Sequence, residues 1–354
     1  MINSISPRFL DRIIDAQRPF MPLMPEKRNE VRKIISAIRE NLMFQVADYH
    51  GPSFFPYGHE VSPVEQEFNR GSRSFAVQCL ANSGGIAEIY VGKDTETKRY
   101  FVIKRLNDKY RDNPNMRARF RREASLSRRL NHPGILAALD YSFGREDLGE
   151  ESFIVYPFVR GLTLLDFLKR VEVHKRTLTA EQALAIMWDI TDILMVLEEA
   201  RVLHRDLKPD NFMLSPGHIN NIVLLDFGLS SDPNDPIKLT GEKVILGKMD
   251  FAAPELKNKG SMVANIISEI FALGVVLIVM FDPSLKRFER DCDYMGFASN
   301  PIATPLTDDV KDKLPPQLIP LVERMVDHLP GNRFAHFWQI QRACEYLLYD
   351  LCCR

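Results

Sequence analysis

His204-Arg205-Asp206-Leu207-Lys208-Pro209-Asp210-Asn211 and, fifteen residues beyond Asn211, the aspartate of Leu224-Leu225-Asp226-Phe227-Gly228 are the stretches on which the fold of this chain turns. The first places a carboxylate, a cation and an amide within one loop, just after a helical pattern. The second ends an apolar, strand-like run in a carboxylate, an aromatic ring and a flexible glycine. Transfer of a phosphoryl group to a hydroxyl asks little covalent chemistry of a protein. It needs a group that orients the acceptor and takes its proton, and positive charge that balances the phosphoryl oxygens. Asp206 suits the first task and Lys208 the second. Asn211 offers an amide oxygen, and Asp226 a strand-end carboxylate, to a hard cation such as Mg²⁺. Each short motif recurs by chance, so their order and separation carry the weight.

Taken together, the two segments resemble the eukaryotic-type protein kinase family, and the resemblance extends over most of the chain. Val102-Ile103-Lys104 is similar to the strand whose lysine meets the α- and β-phosphates of ATP. The resemblance makes Glu123, in RFRREASLSRRLNHP (119–133), the partner that fixes Lys104. Ala253-Pro254-Glu255 matches the motif that closes the activation segment, with Arg333 as its buried partner. Such a pair makes physical sense, because a lone buried carboxylate is costly. IVYPFVRGLTL (154–164) resembles the connection between lobes. Tyr156 is then the gatekeeper, the backbone from Pro157 to Val159 meets the adenine edge, and Val102 and Met213 sandwich the ring.

Several positions depart from the family pattern. The glycine-rich loop is reduced to Asn82-Ser83-Gly84-Gly85-Ile86-Ala87, with Gly84 in register, Gly85 beside it, and Asn82 and Ala87 at the outer glycine positions. Fewer glycines leave less backbone freedom near the phosphates, so weakened nucleotide binding is expected. Lys248 stands where a threonine usually contacts the catalytic aspartate, which leaves acceptor specificity open, although Lys208 favours the Ser/Thr branch. Glu269 takes the place of an aspartate that anchors the catalytic loop, and Ser127 that of an apolar residue. These changes suggest an active state that is loosened or completed by a partner. Arg205 before Asp206 points to ordering of the activation segment by phosphorylation, with Ser230, Ser231 and Thr240 as candidates, or to ordering by packing alone.

Composition sets the wider frame. With 354 residues, 45% hydrophobic and 26% charged, the chain can bury a sizeable core without disulfides or metal. A net charge of −1 gives no global pointer to nucleic acid or an anionic membrane. The odd set of five cysteines (79, 292, 344, 352 and 353) lacks zinc spacing and reads as free thiols in a reducing compartment. The N-terminal twenty residues lack a signal-peptide core. The most apolar run, IISEIFALGVVLIVMF (266–281), is short for a membrane span and contains Glu269, so it reads as a buried helix.

From Pro25 to about Tyr49, Val31, Ile34, Ile35, Ile38, Leu42 and Val46 recur at helical spacing. That pattern predicts an amphipathic helix docked on the same protein, or else one facing a membrane or partner with Arg28, Arg32, Lys33 and Arg39 on its polar side. Residues 50–63 read as a linker. Strands are predicted in 75–106 and in 151–159, with a basic helix over 115–130 between them, and helices almost throughout after Gly161. The arginines of that basic helix read as a solvated face or as a dock for an acidic partner. The C-terminal Cys352-Cys353 pair reads as free thiols.

The resulting expectation is an α+β, two-lobed kinase fold: a small antiparallel sheet with one key helix, a larger helical lobe and an N-terminal helical extension. The expected bounds are 1–72 for the extension and 73–350 for the kinase domain, with N-lobe 73–156, hinge 157–160 and C-lobe 161–350. The expected activity is transfer of the γ-phosphate of ATP, with Mg²⁺ or Mn²⁺, to serine or threonine of a protein, and the alternative is a pseudokinase scaffold. Catalytic residues are Asp206 and Lys208. Asn211 and Asp226 hold the metal, and Lys104, Glu123, Asn82, Gly84, Gly85, Ala87, Val102, Pro157, Val159 and Met213 hold the nucleotide. Beyond ATP and the protein substrate, a regulatory partner at the N-lobe is expected, with no nucleic acid and no transmembrane segment. The location is cytoplasmic, or a host cytosol for a secreted effector.

Overall fold

The structure, a computed structural model, describes residues 23–48, 67–70, 73–83, 86–143, 151–216, 218, 221–231, 251–259, 264–282 and 305–353. Helix α1 (Pro25–Asp48) is followed by strands β1 (Glu67–Arg70), β2 (Arg73–Ser83), β3 (Ala87–Asp94) and β4 (Tyr100–Leu106). Helix α2 (Pro114–Arg129) precedes β5 (Asp140–Phe143) and β6 (Ser152–Pro157). These six strands form one sheet in the order β1-β2-β3-β4-β6-β5, every neighbouring pair antiparallel. Helix α2 starts where the sequence says it should. Asn113 caps it by accepting from the Asn115 and Met116 N–H groups at 3.1 Å, and Pro114 occupies the first turn.

The second half is mainly helical. It contains β7 (Leu162–Thr163), α3 (Leu164–Val173), α4 (Ala180–Glu199), β8 (Phe212–Leu214) and β9 (Ile222–Leu224). Then come α5 (Pro254–Lys259), α6 (Ile266–Val279), α7 (Asp308–Lys311), α8 (Ile319–Met325) and α9 (Phe337–Cys353). Reciprocal capping boxes set the starts of α4 (Thr179 with Gln182) and α6 (Asn265 with Ser268). The apolar run beginning at Ile266 is indeed a helix inside the large lobe, with Leu273, Val276, Leu277 and Ile278 at or near zero exposure. Among the described residues no helix is long and apolar enough to cross a membrane.

Three features differ from the sequence expectation. Strand β1 lies before residue 73, where none is expected, because EFNR is only four residues long, holds one apolar side chain and shows no alternation. The small sheet β7-β8-β9 interrupts the helical half: β9 is the strand-like run before Asp226, whereas β7 and β8 are too short to leave a periodic signal. The basic stretch of α2 is only partly a solvated face: Arg121, Arg128 and Arg129 are exposed, whereas Arg117 and Arg119 are buried. Arg117 there donates to the backbone carbonyls of Arg111 and Phe143.

Helix α1 packs on the large lobe through Val31, Ile35, Leu42, Met43 and Val46, which join the core that holds α4 and α9. Its polar side is only partly left to solvent: Arg32 and Lys33 are exposed, whereas other cations find partners. Arg28 pairs with Glu345 of α9 at 3.1 Å, Lys27 lies over the Tyr349 ring, and Arg39 reaches Asp189 and the face of Trp188 on α4.

Candidate active site

The cleft between the lobes is assembled from short pieces of both. Antiparallel pairing of β4 with β6 sets Lys104 opposite Ile154 and Val102 opposite Tyr156. Helix α2 packs beneath that sheet and presents Glu123 inward. Lys104 Nζ lies 2.7 Å from each Glu123 carboxylate oxygen and 2.8 Å from Asp226 Oδ1. One ammonium thus bridges two carboxylates from opposite lobes. Burial opposes the Lys104 charge, but Asp226 and Glu123 outweigh it and raise its pKa above the ordinary lysine value. Glu123, buried and sharing that ammonium with a second carboxylate, is pushed up to about 7. Asp226 moves the other way: desolvation would raise it, yet Lys104 and the Gly228 N–H hold it far below the usual carboxylate range.

Asp226 follows β9 with φ of +60°, a left-handed conformation that turns its carboxylate into the cleft, where Gly228 N donates to Oδ1 at 2.9 Å. Half of the side chain, 48%, stays accessible. A Cβ at Gly228 would lie 3.0 Å from that same Oδ1 and 3.4 Å from Glu123 Oε2, so any other residue would crowd the carboxylate pair.

Facing this set is the loop after α4. Lys208 pairs with Asp206 Oδ2, and Asn211 Nδ2 donates to that oxygen at 3.0 Å and to the Asp206 carbonyl at 2.7 Å. The loop itself is pinned from below. The Arg205 N–H, in a residue with φ of +66°, donates to Glu269 Oε1 at 2.7 Å. The buried His204 ring lies edge-on to Phe227 and within 3.2 Å of the Leu225 carbonyl. Glu269 therefore does contact the catalytic loop, and burial pushes its pKa up to about 7.

The residues expected to meet adenine are placed less evenly. Val159, Met213 and Val223 form one apolar cluster at the base of the cleft, with Leu136 and Leu225 against it. Pro157 ends β6 opposite Phe101, and Val102 is half-buried beside it. The Ala87 side chain is not brought to the cleft; it is buried with Leu106, Phe120 and Ala124. Asn82 lies in β2 opposite Ile89, while Gly84, Gly85, Lys248 and Thr240 fall outside the described residues. Of the phosphorylation candidates, Ser230 is buried and directs its hydroxyl to the His204 carbonyl, and Ser231 bridges to Leu203.

Outside the cleft, Arg333 and Glu255 form a two-pronged pair at 2.8 and 3.0 Å, with the arginine fully buried. A hydrogen bond from Tyr156 to Glu123, at 3.1 Å, was not foreseeable from sequence, because the two positions meet only once the sheet and α2 are packed.

For a divalent cation, Asp226 and Asn211 offer hard oxygen donors, with the Asn211 amide nitrogen already spent on Asp206. Among the described residues no cluster of three or more His, Cys, Asp or Glu could hold a metal alone.

Comparison with known proteins agrees with this geometry. Residues 80–346 match the family of the protein kinase domain. The chain is 31% identical over 208 residues to the serine/threonine-protein kinase PrkC of Bacillus subtilis, covering 59% of this chain and 30% of that protein. It is 26% identical over 304 residues to PknD of Chlamydia trachomatis serovar D, covering 77% and 31%. This chain thus spans about a third of the length of the curated relatives it matches. The crystal structure of the Mycobacterium tuberculosis PknI kinase domain shares the fold, with a TM-score of 0.54, 22% identity, and coverage of 77% of this chain and 96% of that one. A lysine shared between a helix glutamate and a strand-end aspartate, set over an Asp-Lys-Asn loop and matched along 80–346, places the chain in the eukaryotic-type serine/threonine protein kinase family.

Proposed function

We propose that this chain transfers the γ-phosphate of ATP to serine or threonine hydroxyls of a protein substrate. The observation that carries this is the Lys104 bridge to Glu123 and Asp226 across the cleft from the Asp206-Lys208-Asn211 loop. It brings together a cation for the phosphates, carboxylate and amide oxygens for a metal ion, and a carboxylate for the acceptor, which supports phosphoryl transfer.

Lys104, held by Glu123, orients the α- and β-phosphates. The acceptor hydroxyl is placed by Asp206, which takes its proton as the new oxygen–phosphorus bond forms and the bond from the γ-phosphorus to the departing ADP oxygen breaks, while Lys208 balances charge on the transferring group. Asn211 and Asp226 would hold Mg²⁺, with Mn²⁺ an acceptable substitute, and the bound ion supplies charge neutralisation along the phosphate oxygens. Val102 and Met213 sandwich the adenine, and the backbone from Pro157 to Val159 reads its edge. In the same reading the segment with Asn82, Gly84 and Gly85 meets the phosphates, as the family resemblance implies, and Ala87 takes no side-chain part.

This reading takes residues 73–350 as the kinase domain, with β1 extending its sheet, and 1–72 as an extension whose helix braces the large lobe. A protein substrate, a regulatory partner at the N-lobe and a cytoplasmic setting belong to the same reading. The test is transfer of labelled γ-phosphate from Mg-ATP to the chain itself and to casein or myelin basic protein, with Asp206→Asn alongside. Label on serine or threonine that vanishes in the variant is expected. Equal labelling of both proteins, or none in a folded wild-type chain that binds Mg-ATP, would overturn the reading.

A further inference from the structure

Tyr156, one residue before the end of β6, turns its phenol away from the hinge and into the small lobe. There its hydroxyl donates to Glu123 Oε1 at 3.1 Å. The phenol lies against the apolar cluster of Ala87, Leu106, Phe120, Ala124, Ala138 and Ile154, so its polar end has entered an otherwise apolar layer. Such a group is costly to bury unless it is hydrogen-bonded. Burial and the neighbouring Glu123 keep the phenol well above its ordinary pKa, so it remains a donor.

Ser127 completes the arrangement. It is fully buried one turn beyond Glu123 on α2 and faces the same phenol. It anchors itself by donating to the Ala124 carbonyl at 3.0 Å and accepting from Ala138 N at 3.4 Å. A polar column of Ser127, Tyr156 and Glu123 therefore stands where an apolar one would be expected. The serine that departs from the family pattern has a structural counterpart in the tyrosine.

Lys104 alone does not fix Glu123. Its ammonium has a second carboxylate within reach, at Asp226, and can remain paired if α2 shifts. The phenol draws on Glu123 specifically, and from a separate element, strand β6. We propose that Tyr156 is a positioning residue whose hydroxyl, backed by Ser127, holds Glu123 in register with Lys104 and ties α2 to the strand that leads into the hinge. This inference rests on the reading of the cleft as a nucleotide site.

Tyr156→Phe in the full chain removes the hydroxyl and keeps the ring, with Ser127→Ala as the companion. Hydrogen exchange of the ligand-free chain should speed up about tenfold in peptides covering 114–129 and stay unchanged in those covering 180–199. In turnover, the KM for Mg-ATP should rise about three- to tenfold with kcat within about twofold, because the lysine's hold on the phosphates is lost in ground and transition states alike. Ser127→Ala should shift both readouts in the same direction by less. A variant indistinguishable from wild type would overturn the proposal. So would faster exchange throughout the chain, or a fall in kcat at unchanged KM, both of which mark general loosening. If the wild-type chain transfers no phosphate, the functional reading fails separately, and the ligand-free exchange comparison still decides the role of the tyrosine.

Discussion

Arg39 of α1 meets Asp189 of α4 through two nitrogens, with Nε 3.0 Å from Oδ2, and the aspartate side chain is only 3% exposed. The guanidinium also lies over the Trp188 ring. The N-terminal helix is thus held by a charge pair as well as by its apolar stripe, and the two contributions can be separated. Arg39→Ala strands a buried carboxylate and should cost about 2–3 kcal/mol, less than a fully buried pair because Arg39 itself is partly open to solvent. Asp189→Asn in the same background should recover part of that loss. Denaturant midpoints of the two chains check it, and an Arg39→Ala midpoint equal to wild type would show that the apolar contacts alone secure the helix.

At the start of the large lobe the chain passes unusually close to β8. A Cβ built on Gly161 would lie 2.2 Å from the Leu214 carbonyl oxygen and 2.9 Å from the Met213 side chain. The nearer neighbour is backbone and cannot swing aside. Gly161→Ala should therefore lower stability by about 2–4 kcal/mol and misplace Met213 and Val159 at the base of the cleft. Thermal melting and Mg-ATP affinity report the two effects. An alanine variant as stable as wild type would mean that β8 yields without cost.

The cleft was legible in sequence because its chemistry is written in short, contiguous motifs. Lys104, Asp206, Asn211 and Asp226 each sit in a run that names its own loop or strand. Pairings across long separations were legible only where the family resemblance supplied them, as for Glu123 and for Glu255 with Arg333. The Tyr156–Glu123 bond and the Arg39–Asp189 pair had no such guide. Strand β1 escaped notice for another reason: four residues with a single apolar side chain can form an edge strand on backbone pairing alone, and no alternation announces it. Ala87 shows the converse. Its place in the glycine-loop pattern suggested a phosphate contact, yet the pleat of β3 directs its side chain into the core.

The Glu255–Arg333 pair gives a sharper stability test than α1 does. Arg333 is wholly buried, donates to the Asp327, Ile267 and His328 carbonyls, and packs over Phe271. Losing Glu255 would leave a guanidinium with hydrogen bonds but no counter-charge. Glu255→Ala should cost about 3 kcal/mol, and Glu255→Gln less, since an amide oxygen can still accept. Chemical denaturation of both variants checks the order, and equal losses would indicate that the retained acceptor contributes nothing and that the loss is one of charge.

Glu269 makes the stability of the chain depend on pH in an unusual sense. Oε1 accepts from Arg205 N at 2.7 Å, while Oε2 is buried with no hydrogen bond of good geometry among the described residues. Burial raises its folded pKa to about 7 from an ordinary value of 4.5. Between those values the unfolded chain gives up the proton more readily than the folded one, so the folded state binds more protons and loses stability as pH rises. The loss begins near the ordinary value, is complete above about pH 7, and amounts to at most about 3 kcal/mol. Glu269→Gln cannot titrate and still offers an oxygen to Arg205. It should therefore match wild type at pH 5 more closely than at pH 8, where it should be the more stable of the two. Glu123 titrates over the same window but is present in both chains, so it cancels in the comparison. Denaturation midpoints at the two pH values decide the matter. A wild-type-minus-variant gap that does not change with pH would mean that Glu269 ionises at its ordinary value, and that its second oxygen is solvated after all.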